Sequence, residues 1–83
     1  MDSKIKQIIE MIEHLVNDTT IPKNIRKVLT DANERLKSVE DANVKVSAAV
    51  YLIESISDDI NMPSHARTQI WGVISALEGL KNQ

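Results

Sequence analysis

Apolar residues recur along this chain at intervals of three and four, in four separate runs, and nowhere in sustained alternation. That spacing places side chains on one face of an α-helix, whereas a half-buried strand requires a period of two. The first run comprises Ile5, Ile8, Ile9, Ile12, Leu15 and Val16. The second comprises Ile25, Val28, Leu29, Ala32, Leu36 and Val39, and the fourth Ala66, Ile70, Val73, Ile74, Leu77 and Leu80. The third is broader. Val46, Ala49, Val50, Ile53, Ile56 and Ile60 form one stripe, while Val44, Ala48, Tyr51 and Leu52 spread round a second side, as expected of a helix with neighbours on two sides. Breaks fall near residues 18–21, 38–42 and 59–62. Links this short favour antiparallel neighbours, so the pattern predicts an all-α, antiparallel four-helix bundle.

Displacing the chain along itself by forty-one residues sets "IEHLVNDTTIPKNIR" against "IESISDDINMPSHAR". Ile12, Glu13, Asp18, Pro22 and Arg26 meet Ile53, Glu54, Asp59, Pro63 and Arg67, and Leu29, Ala32 and Leu36 meet Ile70, Val73 and Leu77. The repeated unit is a helical hairpin, which divides one domain, 1–83, into hairpins 1–38 and 42–83. Proline is tolerated in the first turn of a helix, so Pro22 and Pro63 mark the starts of the second and fourth helices, with Thr20 and Asn61 in register as N-caps. Asp18 and Asp59 fall at the C-terminal ends of the preceding helices, where the helix dipole disfavours an anion. Arg26 and Arg67, one turn into the following helices, are the expected partners of those acids, forming ion pairs that lock the two corners.

The segments "IPKNIR" and "ISDDINMPSHARTQIWGVISALEGL" resemble a small archaeal family known as an uncharacterised protein family, number 0147. The resemblance extends over nearly the whole chain and is most specific in "NMPSHARTQIW", Asn61 to Trp71. It implies a single all-helical domain of archaeal origin, and brings no activity, cofactor or catalytic residue with it.

Composition narrows the chemistry. With 83 residues the chain supports one modest core. It has no cysteine, hence no disulfide, thiolate ligand or thiol nucleophile, and this usage fits a reducing, cytoplasmic setting. The formal net charge of −2, with both signs interspersed, gives no long-range attraction to nucleic acid or an acidic membrane. No apolar run approaches the roughly 20 residues of a membrane span, and Glu10 and Glu13 interrupt the N-terminal run, which reads as helix rather than signal peptide. Both glycines, Gly72 and Gly79, lie within the fourth helix, so no glycine-rich loop is available to cradle a phosphate, and no cofactor is expected.

Other groupings are weaker as sites. Glu10, His14 and Asp18 stand four apart on one helical face, a spacing compatible with metal ligation or acid–base work but common on solvated helices; no metal site is predicted. Glu54 and Asp58 offer a second acidic pair, and His65 lies beside the second corner. Lys23, Arg26, Lys27, Arg35 and Lys37 outnumber Asp31, Glu34 and Glu40 along the second helix. Lys23, Lys27 and Lys37 would carry a nucleic-acid contact, although the acids interleave and no base-stacking aromatic accompanies them. Trp71 and Tyr51 adjoin core positions, where an aromatic usually packs but also serves as a binding anchor. Gly72, Ser75, Ala76 and Gly79 form a smooth stripe whose glycines cost roughly 1 kcal/mol each relative to alanine, so a closely packed helix is expected over them, from this chain or a second copy. The reading that best accommodates these features is a non-enzymatic interaction or structural module. It pairs with itself as a homodimer, or with another protein. A nucleic-acid accessory is the alternative, and an enzyme with a carboxylate and histidine site the third.

Overall fold

The computed structural model describes residues 3–81. Its elements are α1 (Ser3–Val16), α2 (Lys23–Leu36), α3 (Ala42–Glu54) and α4 (Ser64–Lys81). The helices form a closed ring in which α1 packs on α2, α2 on α3, α3 on α4 and α4 back on α1, the last seam being the thinnest. The outermost residues of the two expected hairpins, 1–2 and 82–83, lie outside the described residues. No described helix is long and apolar enough to cross a membrane.

The four stripes make the core. Ile12, Ile25, Leu29, Leu36, Ile53, Ile70, Val73 and Leu77 are fully buried, joined by Ile21 and Met62 from the two corners. Two residues assigned to stripes are corrected. Val39 follows the end of α2 and Ile60 the end of α3, and both side chains are free in solvent, at 104% and 90% exposure. A periodic pattern extrapolated past the last helical residue loses its geometric meaning, because the turn changes the side chain's direction.

The corner is built the same way twice. The carboxylate of Asp18 accepts the backbone N–H of Thr20 at 2.9 Å, and that of Asp59 the N–H of Asn61 at 2.8 Å. The backbone N–H groups of Ile21 and Met62 then donate to the carbonyls of Asp18 and Asp59, each at 3.1 Å. These are Asx turns, in which a short acid imitates a backbone turn and ends the helix. The proline that follows sits one place earlier than the first helical turn. Pro22 occupies the N-cap, with φ −55° and ψ 148°, and its carbonyl accepts from Ile25 and Arg26; Pro63 likewise accepts from Ala66 and Arg67. Thr20 and Asn61 therefore belong to the turns and are not caps. Asp41, by contrast, caps α3 by accepting from the N–H of Asn43 at 3.3 Å.

The arginines are also corrected. Arg26 Nε donates to the carbonyl of Ile21 at 2.9 Å, and Arg67 Nη2 to the carbonyl of Asp59 at 2.9 Å. Both guanidinium groups reach back across the corner as the spacing demanded. They satisfy main-chain oxygens of the turn, because the neighbouring carboxylates already face the N–H groups two residues on.

Candidate interaction face

The first corner meets the second hairpin through one polar cluster. Asp18 Oδ2 accepts from His65 Nε2 at 2.8 Å, across 47 positions of sequence, and Asp18 Oδ1 accepts from the Thr20 hydroxyl at 2.6 Å. The Thr20 hydroxyl lies 3.4 Å from the same ring nitrogen. The hydroxyl of Thr20, then the ring of His65, then the Thr20 backbone N–H hold the Asp18 carboxyl down to about 2 from its usual 3.8. The arrangement is a clamp and not a catalytic relay. A relay needs the acid on one ring nitrogen and the hydroxyl on the other, whereas here a single nitrogen faces both and the hydroxyl proton points at the acid. Sequence reasoning placed His65 and Asp18 separately and missed their contact, which depends on how two corners distant in sequence meet at one end of the bundle.

The other candidate groupings stay apart. Among the described residues no three His, Asp or Glu side chains converge well enough to hold a metal ion, so Glu10, His14, Glu54 and Asp58 form no ligand set. The cations of α2 and its C-cap are largely engaged with carboxylates: Lys27 with Asp31 at 3.1 Å, Arg35 with Glu40 at 3.1 Å, and the C-cap Lys37 with Glu13 at 3.6 Å, while Lys23 is exposed. Sequence reasoning also missed Asn33, which is only 5% exposed. Its amide donates to the carbonyl of Ile9 at 3.2 Å, while its Oδ1 has no partner. The repeat held the signal for it, because the residue forty-one places on is Ile74, an apolar stripe position.

The outer faces of the two hairpins differ in kind. The helices α1 and α2 carry charge along their length, from Lys4, Lys6, Glu10 and Glu13 to Lys23, Lys27, Glu34 and Arg35. In α3 no charged residue stands between Val46 and Ile53, and in α4 none between Thr68 and Leu77. The large apolar residues exposed on helices of this hairpin are Tyr51 at 74%, Trp71 at 56%, and Val44. Trp71 and Tyr51 are thus surface residues, not packing at a core boundary. Gly72 and Gly79 are exposed as well, and a Cβ built on either meets nothing within 4 Å, so no helix of this chain packs closely over them. Ala76 is partly buried against the core.

Alongside this face, the thin seam between α1 and α4 opens into a cleft of about 290 Å³, lined by Met11, His14, Leu15, Gln69, Gly72 and Val73. Its walls are mostly hydrocarbon, and Met11 stands exposed at its edge.

A ring of four helices, with two Asx-turn corners and one flank whose middle turns carry no charge, defines a small all-α bundle of the paired-hairpin type. The chain belongs to the uncharacterised protein family UPF0147, whose model matches residues 1–80. It is 42% identical over 85 residues to a UPF0147 protein of Sulfurisphaera tokodaii, an alignment covering 98% of this chain and 92% of that one. It is 42% identical over 78 residues to the UPF0147 protein MJ1419 of Methanocaldococcus jannaschii, covering 93% and 84%. The fold is similar to the crystal structure of the protein of unknown function MMP1188, with a TM-score of 0.86 and 43% identity over 90% of this chain and 86% of that one.

Proposed function

We propose that this protein is a non-enzymatic interaction module that pairs with a second copy of itself through the outer face of α4. The observation that carries the reading is the stretch of α4 from Thr68 to Leu77, which holds no charged residue and presents the exposed Trp71, a residue type enriched at binding anchors. The second copy is favoured over another partner by charge. In a two-fold contact each residue near the axis meets its own copy, so a charged face would set like charges together, whereas an uncharged one pairs with itself without repulsion.

Sedimentation equilibrium over a hundredfold concentration range tests the reading. The wild-type protein is expected to pass from monomer to dimer, and Trp71→Glu to remain a monomer with unchanged helical circular dichroism. A wild-type protein that stays monomeric at the highest concentration overturns self-pairing.

A further inference from the structure

We infer that the cleft between α1 and α4 is the receptor for the Trp71 side chain of the second copy. This inference rests on the self-pairing reading and specifies its geometry. Trp71 is the single tryptophan of the chain, and its ring is more than half exposed although an indole is a large apolar group. The cleft fits what an indole requires. Leu15, Val73 and the flexible thioether of Met11 give it an apolar floor and wall, and sulfur packs favourably against an aromatic edge. His14 and Gln69 add to that lining an imidazole nitrogen and an amide oxygen, either of which can accept the one indole N–H.

Gly72 makes the opening. With no side chain there, and open space where a Cβ would stand, the cleft meets the exposed face of α4 directly. The glycine costs its helix roughly 1 kcal/mol relative to alanine, and nothing within the described chain occupies the space it leaves.

The position of the two residues selects the symmetry. Trp71 and Gly72 are adjacent in α4, hence roughly 100° apart about its axis, on opposite flanks of its outer face. A two-fold axis perpendicular to the pair of helices sets Trp71 on Trp71 and leaves both clefts empty. An axis running along α4 instead sets the Trp71 flank of each copy against the Gly72 flank of the other, filling both clefts at once. The two contacts are equivalent, so the assembly closes at two copies.

Gly72→Met is the discriminating variant, because it fills the cleft mouth with a good helix former where the fold offers room. It is expected to weaken dimerisation at least tenfold in sedimentation equilibrium while preserving helical circular dichroism and raising or maintaining thermal stability. In the wild-type protein, dilution through the dimer–monomer transition is expected to move tryptophan emission to longer wavelength as the ring leaves the cleft for water. A Gly72→Met protein that dimerises like the wild type, while Trp71→Glu does not, overturns the cleft and leaves self-pairing intact. A wild-type emission maximum that is constant across the dimer–monomer transition also overturns the cleft. A wild-type protein that never dimerises removes both.

Discussion

At the scale of single residues, the corner acids and arginines do two separate jobs. Asp59 holds a turn through its carboxylate, and Arg67 holds the same turn through the Asp59 carbonyl, at 2.8 and 2.9 Å. Arg67→Ala is expected to destabilise by about 1.5–3 kcal/mol, the range for a hydrogen bond from a charged donor, because it leaves a turn carbonyl without that donor. Asp59→Ala breaks the Asx turn by another route. In a double-mutant cycle followed by urea unfolding, the two losses are expected to couple by more than about 0.5 kcal/mol, because both bonds hold one turn; strictly additive losses would show that the turn keeps its shape when either bond is lost. The positions of Asp18, Arg26, Asp59 and Arg67 were legible in the repeat. Their bonding was not, since a carboxylate and a carbonyl of one residue lie within the same reach of an arginine and only backbone geometry distinguishes them.

At the scale of the helix, α4 is the longest element and the one whose sequence is least suited to standing alone, having two interior glycines. Neither is required by backbone conformation, because no glycine has positive φ. At Gly79, where the added methyl group meets open space, alanine recovers helix propensity without a clash. Gly79→Ala is expected to stabilise the chain by about 1 kcal/mol. In a domain of this size that raises Tm by roughly 4–8 °C, measured by calorimetry at a concentration where the protein is monomeric. A fall in Tm would mean that α4 packs more tightly there than its surroundings indicate. The small-residue stripe was legible as a smooth surface. Which body lies over it was not, since the same smoothness serves an intramolecular neighbour and an external one.

At the scale of the whole molecule, the Asp18–His65 clamp ties the first corner to the start of α4, beside the thinnest seam of the ring. Its acid limb follows from linkage. The Asp18 carboxyl titrates near 2 in the folded chain and near 3.8 when released, so the folded state binds fewer protons between those values. The stabilisation is present in full above about pH 4 and lost as the pH falls through 2. Acid unfolding followed by circular dichroism is therefore expected to begin at higher pH in Asp18→Asn than in the wild type. Identical acid profiles would show that the clamp contributes nothing to cohesion between the hairpins.

What the sequence determined by itself was everything carried by local periodicity and by its repetition: four helices, the residues facing the core, and two like corners opened by Asp18 and Asp59. Those features are legible because each depends on side chains three, four or forty-one positions apart, and such spacings are properties of the chain. Tertiary structure decided which polar atoms meet: Asp18 with His65, Asn33 with the carbonyl of Ile9, and each arginine with a carbonyl. It also decided that Val39 and Ile60 leave the core, and that Trp71 and the opening at Gly72 lie at the surface. The physical reason is that burial is cumulative and tolerant, so a stripe suffices to predict it. A hydrogen bond or a cleft depends on positions good to a fraction of an ångström, and the packing of helices supplies those.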